Sequence, residues 1–482
     1  MRLFAKVLAV AACVCVAGCI TVGPDYERPM VDTPAAWRVD LPKAQGVANM
    51  KWWEAFHDPV LNTLIFDALR GNLDVRVAAA RIDQFIGVLT STRAQALPQI
   101  GYSADASRNR VSEVGFPPLS PLLDPQFNLF QAALGASWQL DLFGRVRRLS
   151  EAAQAQVYAS EQGQRGVVLS LVAGVAASYI TLRGLDRQRE IAVATAANFG
   201  ETVRIFTLRY RAGLISETEL SEAQAQYKLA QGTIPAVDQQ IAVLENGISI
   251  LLGRNPGPIP RGKTIDQLIA PAIPADLPSA LLERRPDILQ AEQNLVAANA
   301  NIGATRALYY PDISLTGLLG SVSTDFSDFL TGPAKAWSVA AQLAGPIFTS
   351  GAISGQVRSA EALRDQAELF YRQAILGAFN DTNNALSGSQ ETNRQVILQQ
   401  QRVDALRNFA RLSRRKFEYG LTGYLEVQIA ETDLFSAELT LANLKAQRYV
   451  QIVSVYQAMG GGWVDKADAL TPIPVRSVDN RL

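Results

Sequence analysis

Gly257-Pro-Ile-Pro-Arg-Gly262-Lys263-Thr264 satisfies the pattern G-x-x-x-x-G-K-[ST], the loop that cradles the phosphates of a nucleotide. That chemistry needs a preceding strand, a following helix and backbone N–H groups turned onto phosphate. Pro258 and Pro260 remove two of those donors. The residues before the loop read as the end of a helix, and those after it lead into the Pro-rich run 271–278, so nucleotide binding is a poor reading of the motif. The lone histidine, His57, stands beside Asp58-Pro59 and reads as a turn residue, not a base or ligand. Carboxylates fall at helical surface spacing without a paired acid and base. Four methionines in 482 residues offer no path for a soft metal such as Cu(I). The chain therefore reads as a non-enzyme without a cofactor, and 45 basic residues against 45 acidic ones give no global pull on nucleic acid.

What the sequence carries instead is a duplication. Residues 72–100 run against 285–313, with Asp74 over Asp287, Ala78 over Ala291, Arg93 over Arg306 and Pro98 over Pro311. Leu142-Phe143-Gly144 answers Ile347-Phe348, and Leu252-Gly253 answers Met459-Gly460. A tandem copy of a whole supersecondary unit predicts pseudo-symmetric architecture. Each copy has the order helix, two strands, very long helix, helix. Residues 99–107 alternate, with Ile100, Tyr102, Ala104 and Ala106 opposite Gly101, Ser103, Asp105 and Ser107. Residues 134–142 alternate likewise. In the second copy Ile313, Leu315, Gly317 and Leu319 share a face, as do Val339, Ala341 and Leu343.

These four strands are each near the ~9–11 residues that a tilted strand needs to cross a bilayer. Four cannot close a barrel, and an open edge in hydrocarbon leaves unpaired N–H and C=O groups at several kcal/mol each. Closure must then come from other subunits, and three copies give about twelve strands with an open lumen, where about eight would be plugged by side chains. Residues 145–212 contain no proline, and an unbroken helix of that length would be on the order of 100 Å long. Residues 350–419 repeat the feature. Within the first long helix, the uncharged run 167–182 is short of a membrane span and reads as buried packing.

Arg2 and Lys6 precede an apolar run, 7–17, that ends in Val16-Ala17-Gly18-Cys19. This resembles the bacterial lipoprotein signal. The resemblance implies cleavage before Cys19 and attachment of diacylglycerol and an acyl chain there, an essentially permanent anchor. Ile20 stands where aspartate would imply retention in the inner membrane. All three cysteines, Cys13, Cys15 and Cys19, lie at or before this site, so no disulfide framework is expected.

The lipobox, Gly23-Pro-Asp-Tyr-Glu-Arg-Pro29, Trp52-Trp53, the strand entries Leu97-Pro98 and Tyr310-Pro311, Trp138-Gln-Leu-Asp-Leu-Phe-Gly144 and Arg284-Arg-Pro-Asp287 together resemble the outer-membrane efflux lipoproteins. These are the NodT-type, OprM-like members of the TolC superfamily. The resemblance implies a mainly α protein with a membrane β-barrel portion. It implies a homotrimer whose 12-stranded barrel continues into a long periplasmic α-helical barrel. It places the protein in the outer membrane of a Gram-negative bacterium, as the exit channel for small organic solutes, among them drugs. The implied partners are a periplasmic adaptor and an inner-membrane transporter of the resistance-nodulation-division (RND) class. The expected division is 1–18 signal peptide, 19–60 N-terminal equatorial segment, 61–256 repeat one, 257–280 equatorial linker, 281–463 repeat two and 464–482 equatorial tail. A duct for type I polypeptide secretion, a metal-ion efflux channel and a non-conducting envelope tether remain alternatives.

Two turns between long helices, 211–216 and 419–424, resemble the family's adaptor-contacting ends, which makes Gly213, Leu214, Gly420 and Leu421 the expected docking tips. Ser216 and Glu219 form an S-x-x-E capping box for the return helix. After the second turn many relatives read Leu-Asp-Ala-Gln-Arg, whose aspartate and arginine help close the aperture. Here Ile429 and Thr432 occupy those places, so no gate salt bridge carries over. Glu426 and Asp433 share a helical face with Ile429 and are candidates for acidic rings at a periplasmic gate. The same acids could instead sit on a solvated face paired with Arg411, Arg414 or Arg415. The inter-strand loops, 113–128 and 323–335, are expected to face the cell exterior.

Overall fold

The structure is a computed structural model that describes residues 21–31, 33, 34, 37, 51–114, 124–273 and 278–461. Cys19, the tail 464–482, the loop core 115–123 and part of the linker lie outside these residues. The same order of elements occurs twice. Repeat one has α1 (Pro59–Gly71), α2 (Leu73–Ala94), β1 (Gln99–Arg110), β2 (Gln126–Leu140), α3 (Arg145–Arg211) and α4 (Glu217–Leu251). Repeat two follows a single helical turn, Leu281–Arg284, with α5 (Pro286–Arg306), β3 (Asp312–Ser323), β4 (Lys335–Ala344), α6 (Ala352–Glu418) and α7 (Tyr424–Ala458).

Both long helices run 67 residues without a break, and both return helices run 35. At 1.5 Å per residue α3 and α6 are each about 100 Å long. Glycines inside α3 cost only about 1 kcal/mol each and do not interrupt it. Among the described residues α3 is the one helix apolar enough to be read as a membrane span by composition. Its Val172, Val175, Ala176, Tyr179, Ile180 and Leu182 are nevertheless fully buried, so this stretch is core.

That core lies around the middle of α3. The short 3-10 helix Trp52–Phe56 inserts its aromatic rings between the repeats. Trp52 stacks on Tyr456 of α7 at 5.2 Å between ring centroids, and Phe56 meets Tyr449 edge-on at 5.9 Å. Next to it, Asp58 is fully buried and fully engaged. Its carboxylate accepts from the backbone N–H of Val60 and Leu61, which caps α1, and from the Tyr179 hydroxyl at 2.9 Å and the Lys263 N–H at 3.0 Å. One carboxylate thereby ties the N-terminal segment, α3 and the linker together.

The four strands form one antiparallel sheet in the order β1-β2-β3-β4, so β1 and β4 are both edges. Two boundaries differ from the sequence reading. β2 begins at Gln126 and ends at Leu140, because Val111 donates to the Pro125 carbonyl and the hairpin arms pair further out than the alternation at 134–142 indicates. The loops shorten accordingly, and Ser323 and Lys335 belong to strands.

Candidate functional site

The cross-strand register aligns residues into rows. Tyr102 faces Leu134, Leu134 faces Leu319, and Leu319 faces Trp337, giving one apolar row across the whole sheet. The row below it is Ile100, Ala136, Gly317 and Val339. Side chains alternate between faces, so the rows between them are Gly101, Gly135, Leu318 and Ser338, and nearer the helices Gln99, Ser137, Thr316 and Ala340. Further out on that second face, Asp105 faces Gln131. One face is thus apolar and exposed, suited to lipid, while the other is small and polar, suited to water. Strands enter and leave the helices at one end of the sheet, which puts both hairpin loops at the other.

About 100 Å away are the two tips. Gly213 and Gly420 have φ of 70° and 69°, and both end their helices in the same way. Gly213 donates to Tyr210 and Leu214 to Arg209, while Gly420 donates to Phe417 and Leu421 to Lys416. Leu214 and Leu421 are exposed at the ends of these turns. Beneath them Phe206, Phe417 and Tyr424 pack into one aromatic cluster that joins the two hairpins. The capping box at the first tip is present, with the Ser216 N–H donating to Glu219 at 2.8 Å and the Glu219 N–H donating back at 3.3 Å.

The second tip uses its first acid differently. Glu426 accepts from the hydroxyls of Thr422 at 2.6 Å and Ser413 at 3.0 Å, and Lys416 approaches to 3.4 Å. The Thr422 hydroxyl first, then Ser413 and Lys416, hold its carboxyl below the usual range. Glu426 is therefore occupied within its own hairpin, and its cation is Lys416 rather than one of the three expected arginines. Ile429 and Asp433 are exposed on α7. Arg414 pairs instead with Glu431 at 3.3 Å and donates to Thr202 on α3. Burial pushes the Glu431 carboxyl up, against the pull of Arg414, and it pushes the nearby Tyr424 hydroxyl up to about 12. Thr432, at the family's arginine position, donates to Gln226 on α4 at 3.0 Å. Sequence reasoning missed the Glu431–Arg414–Thr202 link, since its members lie on three helices and no spacing connects them.

The family model for the outer membrane efflux protein matches residues 64–254 and again 277–461. The chain belongs to the outer membrane efflux protein family. Among similar proteins, the solvent efflux pump outer membrane protein SrpC of Pseudomonas putida is 31% identical over 95% of this chain and 98% of its own. The cation efflux system protein CusC of Escherichia coli O6:H1 is 32% identical over 95% and 99%. The solved MtrE outer membrane channel of Neisseria gonorrhoeae superposes with a TM-score of 0.83, at 28% identity, covering 92% of this chain and 98% of that one.

This efflux protein is therefore a TolC-like channel of the outer membrane, a passive conduit and not an enzyme. Its nucleotide-like motif is explained by packing. The Gly262 N–H donates to the Tyr179 hydroxyl at 2.8 Å and the Lys263 N–H to Asp58, so the donors that would hold phosphate are spent inside the protein. A Cβ at Gly262 would fall 2.1 Å from the Asp58 carboxylate, which is why glycine is required there. His57 adopts the left-handed conformation at the end of the 3-10 helix, as a turn residue. At the junction of sheet and long helix, Thr21 lies against Gly144.

Proposed function

We propose that the protein is a homotrimeric exit channel of a tripartite RND-type pump, carrying drugs or other small organic solutes out of the cell. The observation that carries this reading is the sheet. It has one lipid-suited face, one polar face and two unpaired edges, and it is continuous with helices long enough to reach across the periplasm. Three copies would pair the edges into about twelve strands around a lumen. The apolar turns at Gly213-Leu214 and Gly420-Leu421 are the sites for a periplasmic adaptor, which connects the channel to an inner-membrane RND transporter. Cys19 carries the lipid. A single residue, Ile20, separates it from Thr21, which sits where sheet meets helix, the level at which an acyl anchor belongs.

Similarity to SrpC supports organic solutes, and similarity to CusC supports cations as a second reading. The sparse methionines favour the first. Loss of the gene is expected to raise susceptibility to organic solvents and hydrophobic drugs, with restoration by the intact gene. Susceptibility to copper and silver alone would replace the first reading by the second. Absence of conductance from the purified protein in planar bilayers would remove both.

A further inference from the structure

The apolar face of the sheet is dented in one place. Ile100 and Val339 stand at the two edges of their row, with the small residues Ala136 and Gly317 between them. Together with Leu319 and Trp337 of the next row towards the loops, they bound an open apolar trough of about 370 Å³. Packing does not demand the glycine on its floor. A Cβ at Gly317 would meet nothing within 4 Å and its φ is not left-handed, whereas a Cβ at Gly320 would fall 2.2 Å from the Ala132 carbonyl oxygen. A glycine inside a strand weakens the strand and often marks the close approach of something else.

Towards the loops the same face changes character. It ends in Arg108 on β1, Asn128 on β2, Ser323 on β3 and Lys335 on β4, so its two edges finish in cations and its middle in neutral residues. Among the described residues Lys335 has no acidic partner, and Arg108 donates to the neutral side-chain oxygen of Gln126 at 3.3 Å. The acids nearby are engaged elsewhere. Glu113 pairs with Arg110 at 3.2 Å, Asp124 accepts from the Gln126 N–H at 2.8 Å, and residues 115–123 include no acid. The repeat also indicates what the edges meet. Phe130 of β2 faces Ser323 of β3. Because Leu142-Phe143 corresponds to Ile347-Phe348 and Pro98 to Pro311, the same pairing between β4 and the β1 of a neighbouring copy sets Lys335 opposite Arg110 and Trp337 opposite Arg108. Like charges brought together across strands destabilise the pair, and an anion between them removes the conflict.

We propose that each trough holds an acyl chain of an anionic, phosphate-bearing lipid of the outer leaflet, whose phosphate sits on Lys335 and on Arg108 of the next copy. The part given to Arg108 rests on the homotrimer reading, whereas the trough and Lys335 belong to one chain. The lengths agree. Val339 beside the trough is four residues from Lys335, about 13 Å along the strand, and the hydrocarbon of one leaflet is about 15 Å deep. The arginine fork takes phosphate oxygens in pairs and the lysine adds a point charge, while the trough accepts a chain without polar groups. One lipid thus fills the dent in the sheet and neutralises the cations at the edge.

The test is native mass spectrometry of the full-length protein extracted in detergent and titrated with lipid A, a bisphosphorylated glycolipid, or with zwitterionic phosphatidylethanolamine. Trimers that retain lipid A, one per subunit, and shed phosphatidylethanolamine are the expected result. Lys335→Gln and Arg108→Gln are each expected to weaken lipid A about fivefold, the worth of one cation near a lipid headgroup, and Lys335→Arg to keep it. Gly317→Leu, whose side chain enters open space, is expected to weaken it at least tenfold by displacing the chain. Equal retention of the two lipids, or lipid A retention that neither Gly317→Leu nor Lys335→Gln alters, would overturn the site and leave the channel reading standing. Inorganic phosphate that displaces lipid A completely would reduce the site to an anion site and overturn the lipid. A monomeric protein would overturn the homotrimer reading and with it the part given to Arg108.

Discussion

Two acidic residues five positions apart on α7 behave oppositely because of what surrounds them. Glu426 is served by two hydroxyls and a lysine and stays ionised readily, while Glu431 is largely, though not wholly, buried with one guanidinium for company. The groups around Glu431 are Arg414 from α6 and the Tyr424 hydroxyl of its own helix, with Glu222 of α4 acting on that tyrosine. Because burial raises the folded pKa of Glu431 above its unfolded value, the folded tip binds this proton more tightly than the unfolded chain does. The resulting stability is fully present below the unfolded carboxyl value of about 4.3 and is lost as pH rises through the raised folded value. Glu431→Gln is therefore expected to flatten the pH dependence of tip stability and to leave the tip no weaker at pH 7. Arg414→Ala at pH 7 is expected to cost about 1–3 kcal/mol, since it strands a buried carboxylate. Hydrogen exchange of the tip amides between pH 4 and 8 measures both, and equal slopes for wild type and Glu431→Gln would sink the account.

At the scale of elements, local signals were legible and long-range ones were not. The alternation at Ile100, Tyr102 and Leu134, the proline-free run after Arg145 and the Ser216–Glu219 box each depend on neighbours within a few residues, and each forms the element it predicts. Lys416 as the partner of Glu426, or Asp58 holding Lys263, depends on how separate segments meet, which spacing along the chain does not encode. The tips combine both kinds of information. Their glycines are required by the left-handed turn whether or not anything docks there, whereas Leu214 and Leu421 do nothing visible for the fold. Leu214→Asp with Leu421→Asp is expected to leave thermal unfolding within about 0.5 kcal/mol of wild type and to weaken adaptor capture at least tenfold. Unweakened capture in a pull-down with the cognate adaptor would move the docking site elsewhere.

For the whole molecule, the two faces of the sheet make opposite demands on neighbouring residues. Val339→Arg places a charge on the apolar face near mid-strand and is expected to cost about 2–4 kcal/mol of membrane insertion. Ser338→Arg, one residue away on the polar face, is expected to insert normally and shift ion selectivity towards anions. Heat-modifiable mobility on gels and reversal potentials in planar bilayers separate the two, and equal insertion defects would mean that the faces are misassigned. The free edges of β1 and β4 have a further consequence, one of timing. A sheet with unpaired backbone on both sides has no resting place in hydrocarbon, so the sheet of a solitary chain must stay out of the bilayer core, even on a lipid tether, until others arrive. Entry into the bilayer then depends on the local supply of subunits, and surplus chains stay within reach of periplasmic proteases, so the architecture itself polices stoichiometry.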